Sequence, residues 1–143
     1  QFGQEATNTI LPMLLDYKGK MVCIAAGYPH EIKQWIDTNS GLESRFTKII
    51  HFEDYTPDEL AQIFLVKAKK DKLTLTPEAE TAMRSYFSDL YLHRNRNFAN
   101  AREVNNYFDH VKKNQSTRLR QEMDLPDFNP ASYGILLPSD MTF

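Results

Sequence analysis

Two arginines stand where a fixed positive charge can meet an anion. Arg45 lies in "SGLESRF", Ser40 to Phe46, after a glycine turn and directly before the apolar run "KIIHF". Arg102 lies in "NAREV", where the spacing predicts the first turn of a helix. At roughly 100° per residue, Arg102 falls about 160° from Val104. It therefore points away from the apolar stripe Val104, Tyr107, Phe108 and Val111. A helix N-terminus carrying an arginine favours an anion, through its amide donors and its charge. From spacing alone, a solvated surface charge is the plainer reading of both side chains.

Other chemistry is harder to find. His30, His51, His93 and His110 show no metal-ligand spacing, and the single cysteine, Cys23, rules out a zinc pattern. The phosphate-cradling pattern G-x-x-x-x-G-K-[ST] is absent: Gly19-Lys20 is followed by Met21, and Leu14 occupies the place of the first glycine. "MLLD", Met13 to Asp16, imitates an apolar run ending in a magnesium-binding aspartate, but it falls on a helical stripe. "HRNRN", His93 to Asn97, reads as a solvated turn. No Ser-His-Asp arrangement can be read from spacing, because triads assemble in space.

The elements that position the arginines follow from periodicity. Ile10, Met13, Leu14 and Tyr17 form one helical stripe, with Pro12 inside it to kink the helix or delay its start. "MVCIAA", Met21 to Ala26, and "TKIIHF", Thr47 to Phe52, are apolar runs of strand length. The helix between them carries Ile32, Trp35 and Ile36, with Pro29 suited to its first turn. Residues 21 to 52 thus read strand, helix, strand, a βαβ unit with parallel strands. In such a sheet ligands bind beyond the carboxyl ends of the strands. The first strand delivers Gly27 and Tyr28 there. Arg45 lies at the opposite end of its strand, poorly placed for its own cleft but able to reach a neighbouring subunit's.

From Thr56 onward the pattern is helical. "TPDE" offers a cap, a first-turn proline and a capping-box glutamate, and "TPEA" at Thr76 repeats the start. Leu60, Ile63, Phe64 and Ala68 make one stripe. Ala79, Met83, Tyr86, Phe87 and Leu90 make a second. A third helix begins near Asn100, with Glu103 placed to bond back to the cap. The tail from Leu125 holds three prolines and reads as irregular, although "YGILL" is able to pack or pair. The expected organisation is an α/β piece, 1–54, and an all-α piece, 55–143, with an irregular tail. Two parallel strands make a poor sheet, since each needs neighbours and cover on both faces. The simplest expectation is that further strands lie upstream of Gln1.

Length and composition bound the rest. The chain has 143 residues, 41% hydrophobic and 25% charged, with a formal net charge of -2. That balance disfavours a nucleic-acid-binding domain, which carries a clear positive excess. No apolar run reaches membrane-spanning length and the first residues show no signal pattern, so no membrane association is expected. One cysteine fits a reducing compartment, and a cytoplasmic location is expected.

Four blocks, taken in order, resemble the CbxX/CfxQ family of AAA+ ATPases, to which stage V sporulation protein K-like proteins belong. They are "FGQEATNTILPMLLDYKGKMVCIAAGYPHEI", "NSGLESRFTKIIHFEDYTPDELAQIF", "LTPEAE" and "NAREVNNYFDHV". The resemblance implies the C-terminal part of an AAA+ module: the strand-helix-strand end of the P-loop NTPase subdomain, followed by the helical lid, with the Walker A and Walker B segments before Gln1. It implies that Arg45 is an arginine finger acting in trans and that Arg102 is sensor 2. It places Tyr28 in the sensor 1 region. ATP and Mg2+ would be the cofactors of the full-length parent. The partners would be identical subunits in a ring, a hexamer, and a protein to be remodelled. The fragment alone would be inactive and would bind neither cofactor tightly. At Glu43 and Asn105 the chain carries neutral or acidic residues where members often have basic ones. A different class of reading is a self-contained α+β interaction module without nucleotide chemistry, which would show residues 21–26 flanked by the chain's own strands.

Overall fold

The computed structural model describes residues 2–143, apart from the side chains of Phe2 and Gln4. The chain divides into two compact units, residues 1–52 and 53–143. No described helix is long and apolar enough to cross a membrane.

In the second unit the caps predicted from sequence start two helices. Helix α4, Pro57–Lys70, opens on Thr56, whose side chain accepts from the Glu59 amide while Glu59 Oε2 accepts from the Thr56 amide at 2.8 Å. (Helices α1, Phe2–Asp16, α2, Pro29–Asp37, and α3, Ser40–Glu43, belong to the first unit.) Helix α5, Pro77–Leu92, opens on Thr76, whose Oγ1 accepts from the Ala79 amide at 3.2 Å. Each cap satisfies an amide that a helix start otherwise leaves without a partner. Helix α6, Ala101–Glu122, is the longest, and its stripe Val104, Tyr107, Phe108 and Val111 is buried.

The three helices meet on an aromatic centre. The Phe64 ring lies 5.1 Å from Phe108, 5.6 Å from Tyr107 and 6.2 Å from Phe87 between centroids. Tyr86 stacks on Tyr107 at 3.8 Å. Leu60, Met83, Val104 and Val111 complete a core that excludes water. The hydrophobic effect acts on all of this area at once, at about 25 cal/mol per Å².

The tail is ordered by polar contacts from one face of α6. Strand β1, Thr74–Leu75, pairs in parallel with β2, Ile135–Leu136, a two-stranded sheet that holds Leu136 in the core. Gln115 Nε2 donates to the carbonyls of Tyr133 and Ile135, each at 3.1 Å. Tyr107 Oη donates to the Met141 carbonyl at 2.7 Å. Arg118 grips Asp140 with two parallel bonds, Nε to Oδ1 at 2.9 Å and Nη2 to Oδ2 at 3.0 Å. The Asp140 side chain is 1% exposed and that of Arg118 13%. The pairing with Asp140 raises the Arg118 pKa further above its ordinary value, so the guanidinium stays charged.

The first unit is thinner. Helix α1, Phe2–Asp16, runs through Pro12 rather than starting after it. Helix α2 spans Pro29–Asp37 and α3 spans Ser40–Glu43. Trp35 Nε1 donates to Thr7 Oγ1 at 2.8 Å and joins α2 to α1, while its ring packs 5.4 Å from Phe46. The helix expected between two apolar segments is present, but the segments themselves form no ladder. Residues 21–26 and 47–52 carry no strand assignment, and Val22 and Ile24 are each 85% exposed, Phe52 86%. The reason is physical. Strands of this composition are stable when buried on both faces between neighbours, and none of the described segments pairs with them.

Two outcomes test this fold. Arg118→Met leaves the Asp140 carboxylate buried with one remaining donor, the Leu137 amide at 2.9 Å. It should cost about 3–5 kcal/mol in urea unfolding followed by far-ultraviolet circular dichroism; a loss under about 1 kcal/mol, the value of an exposed pair, would contradict the clamp. The backbone and side-chain hydrogen bonds from Thr56 lower the Glu59 pKa below its ordinary 4.5. A depressed carboxylate pKa stabilises above the unfolded value and ceases to do so as pH falls through the folded one. The stability advantage of the wild-type chain over Glu59→Gln should therefore hold at neutral pH and vanish on acidification below 4.5.

Candidate functional site

Arg45 is positioned by a one-turn helix. Asn39 caps α3, its Oδ1 accepting from the Gly41 amide at 2.9 Å. Leu42 is fully buried and anchors the turn, and the amides of Arg45 and Phe46 both close on its carbonyl. Arg45 Nη1 donates to the Gly41 carbonyl and to Ser44 Oγ at 3.3 Å. A Cβ on Gly41 would come within 3.1 Å of Arg45 Nη1, so the missing side chain is what lets the guanidinium lie against the turn. No carboxylate pairs with Arg45 among the described residues, and its Nε is buried without a partner. The side chain borders a groove of about 490 Å³ lined also by Lys18, Ser44, Thr47, Tyr17 and Cys23.

Tyr28 does not join this group. It precedes Pro29 as the N-cap of α2, makes no side-chain cap, and is absent from the lining of the Arg45 groove. A Cβ on the neighbouring Gly27 would come within 3.1 Å of the Ile32 side chain, which would have to shift to admit it.

Arg102 belongs to the second unit. It is the second residue of α6 and is exposed, while Val104 is fully buried, so the helical-wheel reading of its direction agrees with the structure. Its side chain makes no hydrogen bond or ion pair among the described residues, in contrast to Arg84, Arg94 and Arg118, which bind carboxylates. The expected cap is different from the one observed. Neither Asn100 nor Glu103 closes a capping box. Asn100 sits at φ 52°, ψ -121°, and turns its side chain outward from the helix to the chain entering the unit. Its Oδ1 accepts from the Tyr55 amide at 2.8 Å, and its Nδ2 donates to Asp54 Oδ1, also at 2.8 Å. Asp54 Oδ2 in turn accepts from Arg94 Nε at 3.3 Å, and the Arg94 guanidinium lies 3.6 Å over the Tyr91 ring. A non-glycine residue at such a φ costs of order 1–3 kcal/mol, which its surroundings must offset. Asparagine is among the few that tolerate positive φ.

The Asp54–Asn100–Arg94 group was not legible in sequence. Asp54 and Asn100 lie 46 positions apart, and the reading of "HRNRN" as a solvated turn ends at Asn97, short of Asn100. The neutral Asn105 also has a structural use, since its Oδ1 accepts from Lys67 Nζ at 2.7 Å. No group of three or more His, Cys, Asp or Glu among the described residues is able to hold a metal ion. Neither Arg45 nor Arg102 is paired with a carboxylate among the described residues; Arg45 bonds a carbonyl and a hydroxyl.

Residues 56–143 match the family model described as AAA lid domain. The chain belongs to the AAA lid domain family. It is 36% identical over 119 residues to protein CbbX of Cereibacter sphaeroides, a match covering 82% of this chain and 38% of that protein. It is 32% identical over 118 residues to the chloroplastic ribulose bisphosphate carboxylase/oxygenase activase of Cyanidioschyzon merolae, covering 82% and 40% respectively. The ESX-1 secretion system protein EccA1 of Mycobacterium tuberculosis is 44% identical over 78 residues, 54% of this chain and 14% of that protein. The chain therefore spans about two fifths of the length of the CbbX and activase relatives. With these relatives it corresponds to the C-terminal part of a CbxX/CfxQ AAA+ protein, and α4, α5 and α6 are the helices of its AAA lid.

Proposed function

We propose that the chain is the lid-bearing part of an AAA+ ATPase that couples ATP binding and hydrolysis to remodelling of a protein partner within a ring of identical subunits, a hexamer. The observation that carries the reading is the state of Arg102. It is a charged side chain in the first turn of the longest lid helix, exposed and without a counter-ion among the described residues. In this reading Arg102 is sensor 2 and reaches the phosphates of its own subunit. Bound ATP-Mg2+ would supply the scissile phosphoanhydride and the charge neutralisation on its oxygens; Arg102 would orient those oxygens and hold the lid over them. Arg45 is the arginine finger, delivered to the phosphates of the next subunit. The lack of a carboxylate partner among the described residues leaves the charge available, and its present bonds are to a neutral carbonyl and a hydroxyl that a phosphate would outcompete. Tyr28 lies near the sensor 1 position. The self-contained interaction module loses its main support, because residues 21–26 are not flanked by strands among the described residues.

The test is made in the full-length ring. Arg45→Ala should lower ATP turnover by about 10³-fold or more, the range for removing an arginine finger, with nucleotide affinity unchanged. Turnover within a few-fold of wild type would reject the finger. Arg102→Ala should weaken binding of a fluorescent ADP analogue by about tenfold, equivalent to one charge-assisted hydrogen bond. Equal affinity would reject sensor 2.

A further inference from the structure

We infer that Asp54 and Asn100 form a latch that positions Arg102, fixing the start of α6 to the segment by which the chain enters the lid. The inference rests on the sensor 2 reading of Arg102 and goes beyond it, because neither latch residue touches a nucleotide in that reading. Three observations carry it. Asn100 immediately precedes α6 yet does not cap it; both polar ends of its amide face residues 54 and 55 instead. The backbone pays for this orientation with a positive φ, two residues before Arg102. Asp54 is held from its other oxygen by Arg94, which is itself fixed over Tyr91 and bonded to the Tyr91 carbonyl at 2.7 Å. The entering segment, the end of α5 and the start of α6 are thus tied through a single carboxylamide pair.

The chemistry of the pair is directional. The Asn100 carbonyl oxygen accepts from the Tyr55 amide, so its NH2 group must face the Asp54 carboxylate. Aspartate at position 100 would keep the Tyr55 bond and set two carboxylates against each other. Exchanging the two residues restores the complement: an asparagine at 54 donates to the new carboxylate and offers its own oxygen to Arg94. A structural role alone would be met by any residue that keeps α6 folded. A latch requires that the pair be complementary, whichever side carries the charge.

The experiment measures affinity for a fluorescent ADP analogue in the full-length protein, for Asn100→Asp, Asn100→Gly, the exchange Asp54→Asn/Asn100→Asp, and Arg102→Ala. Asn100→Gly accepts the positive φ without strain and so guards against loss of the fold. Asn100→Asp and Asn100→Gly should each weaken binding by about tenfold, as Arg102→Ala does, and the exchange should recover most of that loss. Wild-type affinity in Asn100→Asp and Asn100→Gly, with Arg102→Ala impaired, overturns the latch alone. An exchange variant no better than Asn100→Asp also overturns it. Unchanged affinity in Arg102→Ala overturns the sensor 2 reading and, with it, the positioning role.

Discussion

The contact between Arg118 and Asp140 governs what the lid is. A carboxylate with almost no exposure is expensive to desolvate, and the cost is met only if a matched cation and further donors surround it. Here the planar guanidinium supplies two parallel bonds, the Leu137 amide supplies a third donor, and Glu122 balances the far side of Arg118. Arg118 also donates to the Ile135 carbonyl, so the same side chain that neutralises Asp140 fixes β2. A proline-containing tail with little helical propensity is converted into the fourth wall of the core. Without it Leu136 and Met141 would leave the cluster, and the buried face of α6 would meet water.

Helix α6 organises everything around it because its faces do separate work. Tyr107, Asn114, Gln115 and Arg118 recur at three- and four-residue spacing and all reach the tail. Val104, Phe108 and Val111 are buried in the same cluster as residues of α4 and α5, with Phe108 edge-on to Phe64 of α4. Lys67 and Lys112 lie over the Phe108 ring at 5.3 and 4.8 Å, covering its solvent side with their stems and charges. One helix thus carries the core, the clamp and, at its N-terminus, the strained Asn100. The first unit has no comparable organiser. Among its described residues a tryptophan indole bonded to a threonine joins α1 to α2, and its most apolar segments stay exposed.

The lid was largely legible in the sequence because its signals are local. Thr56 with Pro57 and Glu59, and Thr76 with Pro77, state helix starts within four residues, and the apolar stripes that follow are the observed core. Arg102 could be aimed from the wheel because α6 is regular there. What was not legible depends on partners far along the chain. The tail reads as irregular because of its three prolines; nothing in "PSDM" announces a buried carboxylate, since the partner of Asp140, Arg118, lies 22 positions away. "YGILL" held the one hint, that it was able to pair, and it does so with Thr74–Leu75. The runs at 21–26 and 47–52 were read as strands from composition. Composition describes what a segment needs, not whether a neighbour meets the need, and their exposure shows it unmet among the described residues.

The placement of Arg102 is a local conflict that these elements do not resolve. The N-terminus of a helix carries the positive end of the macrodipole, so a cation in the first turn is disfavoured by about 0.3–1 kcal/mol. Arg120, in the last turn of the same helix, sits where the dipole favours it. The other paired arginines of the unit find carboxylates, and carboxylates are abundant in a chain of net charge -2. Glu103 lies next to Arg102 in sequence, but adjacent helical residues diverge by about 100° and do not face each other. A charge kept at the wrong end of its helix, with no partner among the described residues, costs stability that a bound anion would restore. In the proposed reading that anion would meet the positive end of the dipole and the guanidinium together, while the amides of Arg102 and Glu103 stay bonded to the carbonyls of Ala99 and Asn100.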